Sequence, residues 1–482
     1  MKHIRFSFLV CSFLCLSNIN PLMAQEAETV KVHEIKKREK QPTDIESGIT
    51  TQEEATKKQS LDAESGATTQ KATAEKKKTG LYLGGYGEAV VQRMFYSDDA
   101  ARYSYPASHK NDKYGRVDLP HVVFFAGYDF GRGWKMAAEV EFEHGGSGAT
   151  IEIEKEEGAE YETEIEKGGE VVIEQFWIEK SFKRSANLRL GHLIVPIGLT
   201  NMYHMPTEFF SALRPEEEMA IIPCTWHETG ISFWGEAKKW RYEAMIIAGL
   251  DAERFSNAGW ISGSSTSPYE FKIANSYATA ARVDNSSVKG LRMGFSGYFG
   301  FSAANSLRQD RFKDVNGAVT VGAFDAVYDD HNILARTNII YGHLSDSYEI
   351  SLINRKLLPV SPSPRTHVAS DAMSWYVEAG YDLLSFFPNR KIKDNRLYIY
   401  GHYGYYDSMH KTAERFNTTT GIVDKIPQKG WCKKQIISAG LNYFPMKGLV
   451  IKAEYMMRKL DEPYNNEPSI SLGIGYSGLL NL

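Results

Sequence analysis

The stretch GWKMAAEVEFE, residues 133–143, alternates apolar and polar side chains. Every second residue from Trp134 to Phe142 is apolar, whereas the positions from Lys135 to Glu143 carry one lysine, one alanine and three glutamates. Side chains of a β-strand point to opposite faces in turn. A period of two therefore predicts a strand here, with one apolar and one polar face.

The same period recurs from residue 81 to residue 480, clearly so in 291–301, 449–457 and 470–476. Glycine at 40 positions and 51 tyrosines and phenylalanines also favour strands and turns. We predict sixteen strands, at 81–96, 115–129, 133–144, 170–183, 186–196, 227–237, 239–251, 277–287, 290–302, 317–328, 332–344, 373–386, 395–406, 433–444, 448–460 and 468–480.

The connections between these strands alternate in length. Short turns separate the long connections at 97–114, 145–169, 197–226, 252–276, 303–316, 345–372, 407–432 and 461–467. Transmembrane barrels have short periplasmic turns and long extracellular loops. We predict an all-β fold, a transmembrane antiparallel β-barrel of sixteen strands over residues 80–482. Sixteen strands leave an aqueous lumen. A secreted all-β domain with the same alternation is the alternative.

The first 79 residues differ from the rest of the chain. Lys2 and Arg5 precede or adjoin an apolar stretch at 6–16, and Ala24 offers a small residue for cleavage, so residues 1–24 predict a secretory signal peptide. Residues 25–79 contain no Phe, Trp or Tyr and predict a disordered periplasmic tether. A buried helix and a short coiled coil are the respective alternatives.

Composition excludes several functional classes. The chain has 482 residues, 56 Lys and Arg, 60 Asp and Glu and a formal net charge of −4, which argues against nucleic acid as a partner. It has no apolar run of about 18 residues, as a helical membrane protein would need. HExxH, G-x-S-x-G and P-loop patterns are absent from the sequence. We expect no enzyme, no cofactor and no metal site.

Charged residues on the polar face of the strands would line the lumen and bias ion selectivity. The alternative is that they are solvated wall residues with little individual effect. Both signs of charge occur, so the sequence predicts no lumen of uniform sign. The residues with the clearest phase are Lys135, Glu139, Glu141, Arg241, Glu243, Arg292, Lys452, Glu454 and Arg458.

The third long connection, residues 197–226, is unusually apolar for an exposed loop, with Phe209, Phe210, Ile221, Ile222 and Trp226 among its residues. Apolar residues at this density favour burial. We predict that the loop folds into the barrel as a constriction, with polar side chains in the narrowest water path. A cap over the mouth is the alternative. The candidate constriction residues are His204, Glu208, Arg214, Glu216, Glu217 and Glu218.

Two further features leave alternatives open. The second long connection, 145–169, holds eight glutamates against two lysines, and its alternation predicts a hairpin that extends beyond the membrane. It could bind divalent cations or lipopolysaccharide-bound metal, or simply be a solvated surface. After removal of the signal peptide, Cys224 and Cys432 are the only cysteines. An exported chain could join them in a disulfide.

The stretch LRLGHLIVPIGL, residues 188–199, contains the spacing G-x-x-x-x-P-x-G at Gly191, Pro196 and Gly198. This spacing resembles a strand end in Gram-negative porins of the phosphate-selective O and P family. The flanking stretches 175–180 and 229–235 also resemble that family, whose layout matches residues 81–482 but not the tether.

The resemblance implies a sixteen-stranded outer-membrane porin, usually a homotrimer, for passive diffusion of small hydrophilic solutes. Its expected partners are outer-membrane lipids, lipopolysaccharide and the barrel-insertion machinery, with no nucleic acid. Phosphate selectivity in the family uses arginines of the third loop and a lysine-rich lumen. Here that loop offers only Arg214 beside Glu216, Glu217 and Glu218. We therefore expect a general or weakly selective porin, before a phosphate channel, with a glycan-binding or adhesive β protein as the alternative.

Overall fold

The structure, a computed structural model, describes residues 80–145, 148–155, 161–167, 169–265, 271–357, 363–390, 392, 394–417 and 421–481. The signal peptide expected at 1–24 and the tether expected at 25–79 lie outside these residues and stay predictions. Among the described residues, no helix is both long and apolar enough to cross a membrane.

The described residues form twenty-one strands. These are β1 (Gly80–Met94), β2 (Tyr114–Asp118), β3 (His121–Gly131), β4 (Trp134–Glu143), β5 (Gly148–Lys155), β6 (Tyr161–Lys167), β7 (Glu170–Lys183), β8 (Ala186–Ile194), β9 (His227–Ala237), β10 (Trp240–Ala248), β11 (Tyr277–Asn285), β12 (Leu291–Phe301), β13 (Ala318–Asp330), β14 (Ile333–Leu344), β15 (Asp371–Asp382), β16 (Arg396–Lys411), β17 (Glu414–Asn417), β18 (Ile422–Lys425), β19 (Lys433–Met446), β20 (Leu449–Lys459) and β21 (Glu467–Asn481).

Sixteen of the described strands close into one antiparallel barrel, as the sequence predicted. Each pairs with the next barrel strand along the chain, and β1 closes the ring by pairing with both β3 and β21. The closing pair is long, running from Tyr82 opposite Asn481 to Met94 opposite Ser469. Closure leaves no unpaired edge in the wall, which is the condition for a sheet to cross lipid.

The predicted strand at 115–129 is wrong in one respect, because the structure divides this stretch in two. Strand β2 pairs with the C-terminal part of β1, from Val90 opposite Asp118 to Met94 opposite Tyr114. After Leu119 and Pro120 the chain enters β3, which pairs with the N-terminal part of β1. Proline has no N–H to donate to a sheet, so the ladder is interrupted at Pro120.

The short turns of the sequence are tight turns in the structure. The turn between β3 and β4 uses Gly131 and Gly133, both at positive φ. A side chain at Gly133 would overlap the carbonyl oxygen of Ser181 on the neighbouring strand, so glycine is required there. The turn between β15 and β16 is longer and contains a short 3-10 helix, Leu383–Phe386.

The two faces of the wall differ in polarity as the alternation predicted. On β12, Phe295 faces outward and is 61% exposed, whereas Arg292 faces inward and is 6% exposed. Outward residues elsewhere on the wall are also mainly apolar, including Phe124, Ile178, Ile246, Ile339, Ile399, Ile451 and Leu472. An apolar exterior around a polar interior is the pattern of a barrel that contacts lipid.

The long connections carry the remaining elements. The predicted hairpin in 145–169 is present as β5 paired with β6, with Glu152 opposite Glu164. Strands β17 and β18 form a second hairpin. The helices are α1 (Glu216–Met219) and α2 (Ser347–Arg355). Short 3-10 helices lie at Ala100–Tyr103, Ala252–Arg254, Ala303–Asn305, Gln309–Phe312 and Gly430–Cys432.

An apolar cluster fills the end of the barrel from which the long connections leave. Trp260 and Phe255 are fully buried, and they belong to one hydrophobic core with Ile350 of α2 and with Val368. The Trp260 indole N–H donates to the carbonyl oxygen of Ala369 at 3.1 Å. We call these residues, with Leu250 and Ile261, the outer cluster.

Candidate functional site

The third loop, residues 197–226, lies inside the barrel, as the sequence predicted. Its residues contact opposite sides of the wall. Arg282 of β11 donates to the carbonyl oxygen of Gly198 at 2.9 Å, and Thr207 lies 2.7 Å from Ser477 of β21, hydroxyl to hydroxyl. Phe210, Ile221 and Ile222 are buried. Burial inside the barrel therefore accounts for the apolar residues of this loop, rather than a cap over the mouth.

Glu218 holds the two ends of the third loop together. Its carboxylate accepts the backbone N–H groups of Leu199, Thr200 and Asn201 at 3.0, 2.9 and 2.7 Å, and the Asn338 side-chain amide at 2.5 Å. Burial raises the pKa of Glu218 to about 7, although these N–H donors act in the opposite direction. A carboxylate in this position replaces the solvent that would otherwise bind the loop backbone.

The wall binds the backbone of the third loop at several points. The Lys452 ammonium donates to the carbonyl oxygens of Phe209 and Ser211 at 2.9 and 2.8 Å. Glu454, two residues along β20, accepts the backbone N–H of Ala212 at 3.1 Å. Buried backbone groups need such partners, so these two predicted lumen residues hold the loop instead of facing open water.

Two glycines of the wall make room for side chains of the third loop. Phe210 stacks on Tyr400 with ring centroids 5.1 Å apart, and a methyl group at Gly380 would lie 2.5 Å from its ring. A methyl group at Gly404 would overlap the Glu217 carboxylate. The missing side chains of these glycines thus allow the loop to lie directly on β15 and β16.

The acidic residues of α1 pair with the wall. Glu216 accepts from Arg458 at 2.6 Å, and Glu217 lies 2.7 Å from His402 Nε2. Glu217 is 1% and Glu218 0% exposed, so the expectation that these carboxylates hang in the water path is wrong. The reason is that each finds buried partners on the opposite wall, which a loop sequence alone does not reveal.

Arg214 and His204 are also buried in the interior. The Arg214 guanidinium donates to Thr225 and Tyr86 hydroxyls at 3.2 and 3.4 Å and lies 3.7 Å from Glu141. His204 Nδ1 lies 3.1 Å from the carbonyl oxygen of Asn201. Burial, with Arg214 nearby, lowers the pKa of His204 to about 4, so its imidazole is neutral at pH 7. Glu208 is less deeply buried than these two residues.

The predicted lumen residues face the interior, but several are paired rather than solvated. Arg241 donates to Glu243 at 2.6 Å, and Arg292 donates to Asp284 at 2.7 Å. Glu139 accepts from Gln175 at 2.5 Å. Lys135, Arg241 and Arg458 keep partial exposure. Of the predicted residues, those three, Glu208 and Glu216 keep partial access to water.

Sequence reasoning missed a group of arginines on the same inner face. Arg282 is fully buried between Asp284 and Asp325, with side-chain distances of 2.8 Å to each. Arg189 pairs with Glu179 at 2.8 Å, and Arg336 pairs with Glu378 at 3.3 Å. The alternation in 277–285 already placed Arg282 and Asp284 on one face, and that signal could have found both.

A second missed feature is an excess of carboxylates on the wall formed by β1, β4 and β7. We call Glu88, Glu139, Glu141, Glu143 and Glu174 the acidic cluster. Glu174 accepts the hydroxyls of Thr225 and Tyr86 at 2.6 and 3.2 Å. Arg214 and His121 form salt bridges with this cluster.

The disulfide left open by the sequence is not formed. Cys224 and Cys432 are both free thiols. Cys224 belongs to the third loop inside the barrel, whereas Cys432 lies in the 3-10 helix Gly430–Cys432 just before β19. Burial raises the pKa of the Cys224 thiol.

Comparisons of the sequence and of the fold identify several similar proteins. No family model matches the chain. An uncharacterized protein of Aquifex aeolicus (strain VF5) is 24% identical over 392 residues, 81% of this chain and 78% of that protein. An anion-selective porin from Comamonas acidovorans aligns at 10% identity and a TM-score of 0.44, over 83% of this chain and all (100%) of that chain. The outer membrane channel DcaP of Acinetobacter baumannii aligns at 10% identity and a TM-score of 0.45, over 83% and 98% of the chains. Salmonella typhi OmpF in complex with daunomycin aligns at 10% identity and a TM-score of 0.48, over 82% and 97%.

Proposed function

We propose that this protein is an outer-membrane channel for the passive diffusion of small hydrophilic solutes. The observation that carries the proposal is the third loop folded across the interior of a closed sixteen-stranded barrel with an apolar exterior. The exterior supports insertion in lipid, because apolar surface of this extent is costly to leave in water. The charged interior supports a path for hydrophilic solutes.

The solute path runs where the third loop leaves the wall. Our candidates for lining it are the predicted residues that keep partial exposure, Lys135, Glu208, Glu216, Arg241 and Arg458. The more deeply buried residues, Glu217, Glu218 and Lys452 among them, hold the loop in place. In this proposal the loop sets the width of the path, and the exposed charges set its selectivity.

The charges favour weak selectivity without a preference for phosphate. The arginines that would attract an anion, Arg282 and Arg292, are bonded to Asp284 and Asp325. The acidic cluster has fewer cations than carboxylates among its described neighbours. Small cations and neutral solutes therefore meet less electrostatic resistance than phosphate. A phosphate channel of the O and P type is the less supported form of the proposal.

The proposal includes the environment of the chain. A barrel with an apolar exterior belongs in the outer membrane of a Gram-negative cell, with lipids and lipopolysaccharide around it. Barrel-insertion machinery would place it there. A homotrimer is proposed from the family resemblance alone, and chemical cross-linking of the detergent-extracted protein tests it.

Single-channel recording in a planar bilayer tests the function. Refolded protein should give stable conductance steps, and a KCl gradient should give a small reversal potential of cation-selective sign that phosphate does not alter. Heat-unfolded protein is the control. Anion selectivity with block by phosphate would favour the phosphate channel. Protein that inserts without conducting, or stays soluble without detergent, would contradict the channel and favour an adhesive or glycan-binding role.

A further inference from the structure

Three side chains with metal-binding atoms meet at the inner face of β3 and β4. His121 and Glu143 are directly opposite in the β3–β4 ladder, and Glu141 lies two residues before Glu143 on the same face. The His121 Nδ1 atom is 2.6 Å from Glu141 Oε1 and 3.9 Å from Glu143 Oε1. One ligand atom from each residue lies within 4.8 Å of the other two.

A third carboxylate faces this group from β1. Glu88 is 7% exposed, and its Oε1 atom lies 3.9 Å from His121 Nε2. Its buried Oε2 atom has no hydrogen-bond partner among the described residues. Lys452 and Arg214 attract the Glu88 carboxylate, but neither donates a hydrogen bond to its Oε2 atom. Because an ionised carboxylate is costly to bury without a partner, this atom offers a position for a further cation.

The local balance of charge points the same way. Elsewhere on the wall, Arg189, Arg282 and Arg336 each have a carboxylate partner. Here the five carboxylates of the acidic cluster face fewer cationic side chains, chiefly Arg214, which lies 3.7 Å from Glu141, and Lys452. Since paired or metal-bound charges are the usual state of buried carboxylates, a cation would complete the group.

We propose that His121, Glu141 and Glu143 bind a divalent transition-metal ion such as Zn²⁺, with Glu88 as a nearby third carboxylate. One imidazole nitrogen with two carboxylates is a ligand set that zinc accepts. Ligands about 2.1 Å from a tetrahedral ion lie roughly 3.4 Å from one another. The 2.6 and 3.9 Å separations of this group bracket that value, so small side-chain movements suffice.

The site is accessible from the interior. The side chains of Glu143 and His121 are 33% and 16% exposed, whereas Glu141 lies behind them. A bound ion would tie β3 to β4 beside Arg214 of the third loop and reduce the negative charge of the interior. Metal binding is a property of the folded barrel and does not depend on conductance, so this proposal stands apart from the proposed function.

Cobalt(II) titration of the refolded, chelator-treated full chain in detergent tests the site. Visible absorption bands of tetrahedral cobalt should appear with saturation at one ion per chain and disappear when Zn²⁺ is added. His121→Gln and Glu141→Gln should each weaken binding by roughly 100-fold or more, because even the loss of a residue that only orients a metal ligand costs about 10–100-fold. Calcium should not compete, since it prefers an all-oxygen site.

Glu179→Gln is the matched control. Glu179 is a buried carboxylate of the adjacent wall, but it is bonded to Arg189 and Trp234 rather than to the proposed ligands. Circular dichroism and the gel shift on heating check that each variant folds. The proposal is overturned if folded wild-type protein binds no cobalt or zinc at micromolar concentration. It is also overturned if His121→Gln binds as tightly as Glu179→Gln does.

Discussion

Glu218 joins the two ends of the third loop through one carboxylate. The backbone N–H groups of Leu199, Thr200 and Asn201 belong to a turn outside the strands, so they need an acceptor other than a neighbouring strand, and Glu218 provides it. A buried carboxylate is a strong acceptor for such groups, but it also has a desolvation cost. The stability of the packed loop therefore depends on the charge of one residue.

We predict that the third loop loosens as the pH rises from 5 to 8. The pKa of Glu218 is about 7 in the packed loop, against 4.5 for a solvated glutamate. The packed loop thus binds more protons between these values, and its stability is lost as the pH rises through 7. The difference is on the order of 3 kcal/mol. Hydrogen exchange of the Leu199–Asn201 amides, corrected for intrinsic rates, measures it.

Glu218→Gln is the control for this prediction, because glutamine does not titrate. His204, whose pKa is lowered to about 4, stays neutral throughout the range and contributes nothing to the change. If the glutamine variant keeps the full pH dependence of the amides, a different group is responsible and the role assigned to Glu218 is wrong.

The sequence predicted that the third loop lies inside the barrel, but it did not predict the contacts of the loop with the wall. Phe209 and Phe210 were enough to predict burial, because apolar residues avoid water in any fold. The pairing of Glu217 with His402 joins residues 185 positions apart. Such a pair depends on how the strand registers accumulate around the barrel, and no local pattern in the chain encodes it. Hence Glu217 and Glu218 were expected in water and are in fact buried.

At the scale of elements, glycines in β15 and β16 determine how closely the third loop approaches the wall. We predict that Gly380→Ala and Gly404→Ala displace the loop, because the added methyl groups would meet Phe210 and Glu217. Overpacking of this kind costs about 1–3 kcal/mol. Single-channel recordings should show larger and noisier conductance, and the amides of the loop should exchange faster.

Gly401→Ala is the matched control on β16. An added methyl group there meets nothing within 4 Å, so the variant should conduct like the original chain. Equal effects of all three substitutions would indicate a general loss of strand stability at glycine positions and would contradict a specific contact with the third loop.

For the whole molecule, the alternation of polar and apolar residues was sufficient to predict the barrel. Every one of the sixteen predicted segments overlaps a barrel strand. The reason is that, in each strand of a closed sheet, successive side chains face lipid and the interior in turn. The outer cluster was not predicted. Trp260 comes from one connection and Ile350 and Val368 from another, and only the closed ring brings them together.

The outer cluster should therefore unfold without unfolding of the barrel wall. Trp260 is fully buried, lies against Gly342 of β14 and bonds to Ala369. We predict that Trp260→Ala destabilises the outer cluster by about 3–5 kcal/mol and exposes residues 252–265 to protease, while the barrel keeps its gel shift on heating. Trp240→Ala removes an equally large ring from an outward position that is 51% exposed, and it should leave protease resistance unchanged. The gel shift should persist because a wall closed by its own hydrogen bonds does not need the outer cluster to remain folded. If Trp260→Ala also abolishes the gel shift, the prediction is wrong and the outer cluster and the wall unfold as one cooperative unit.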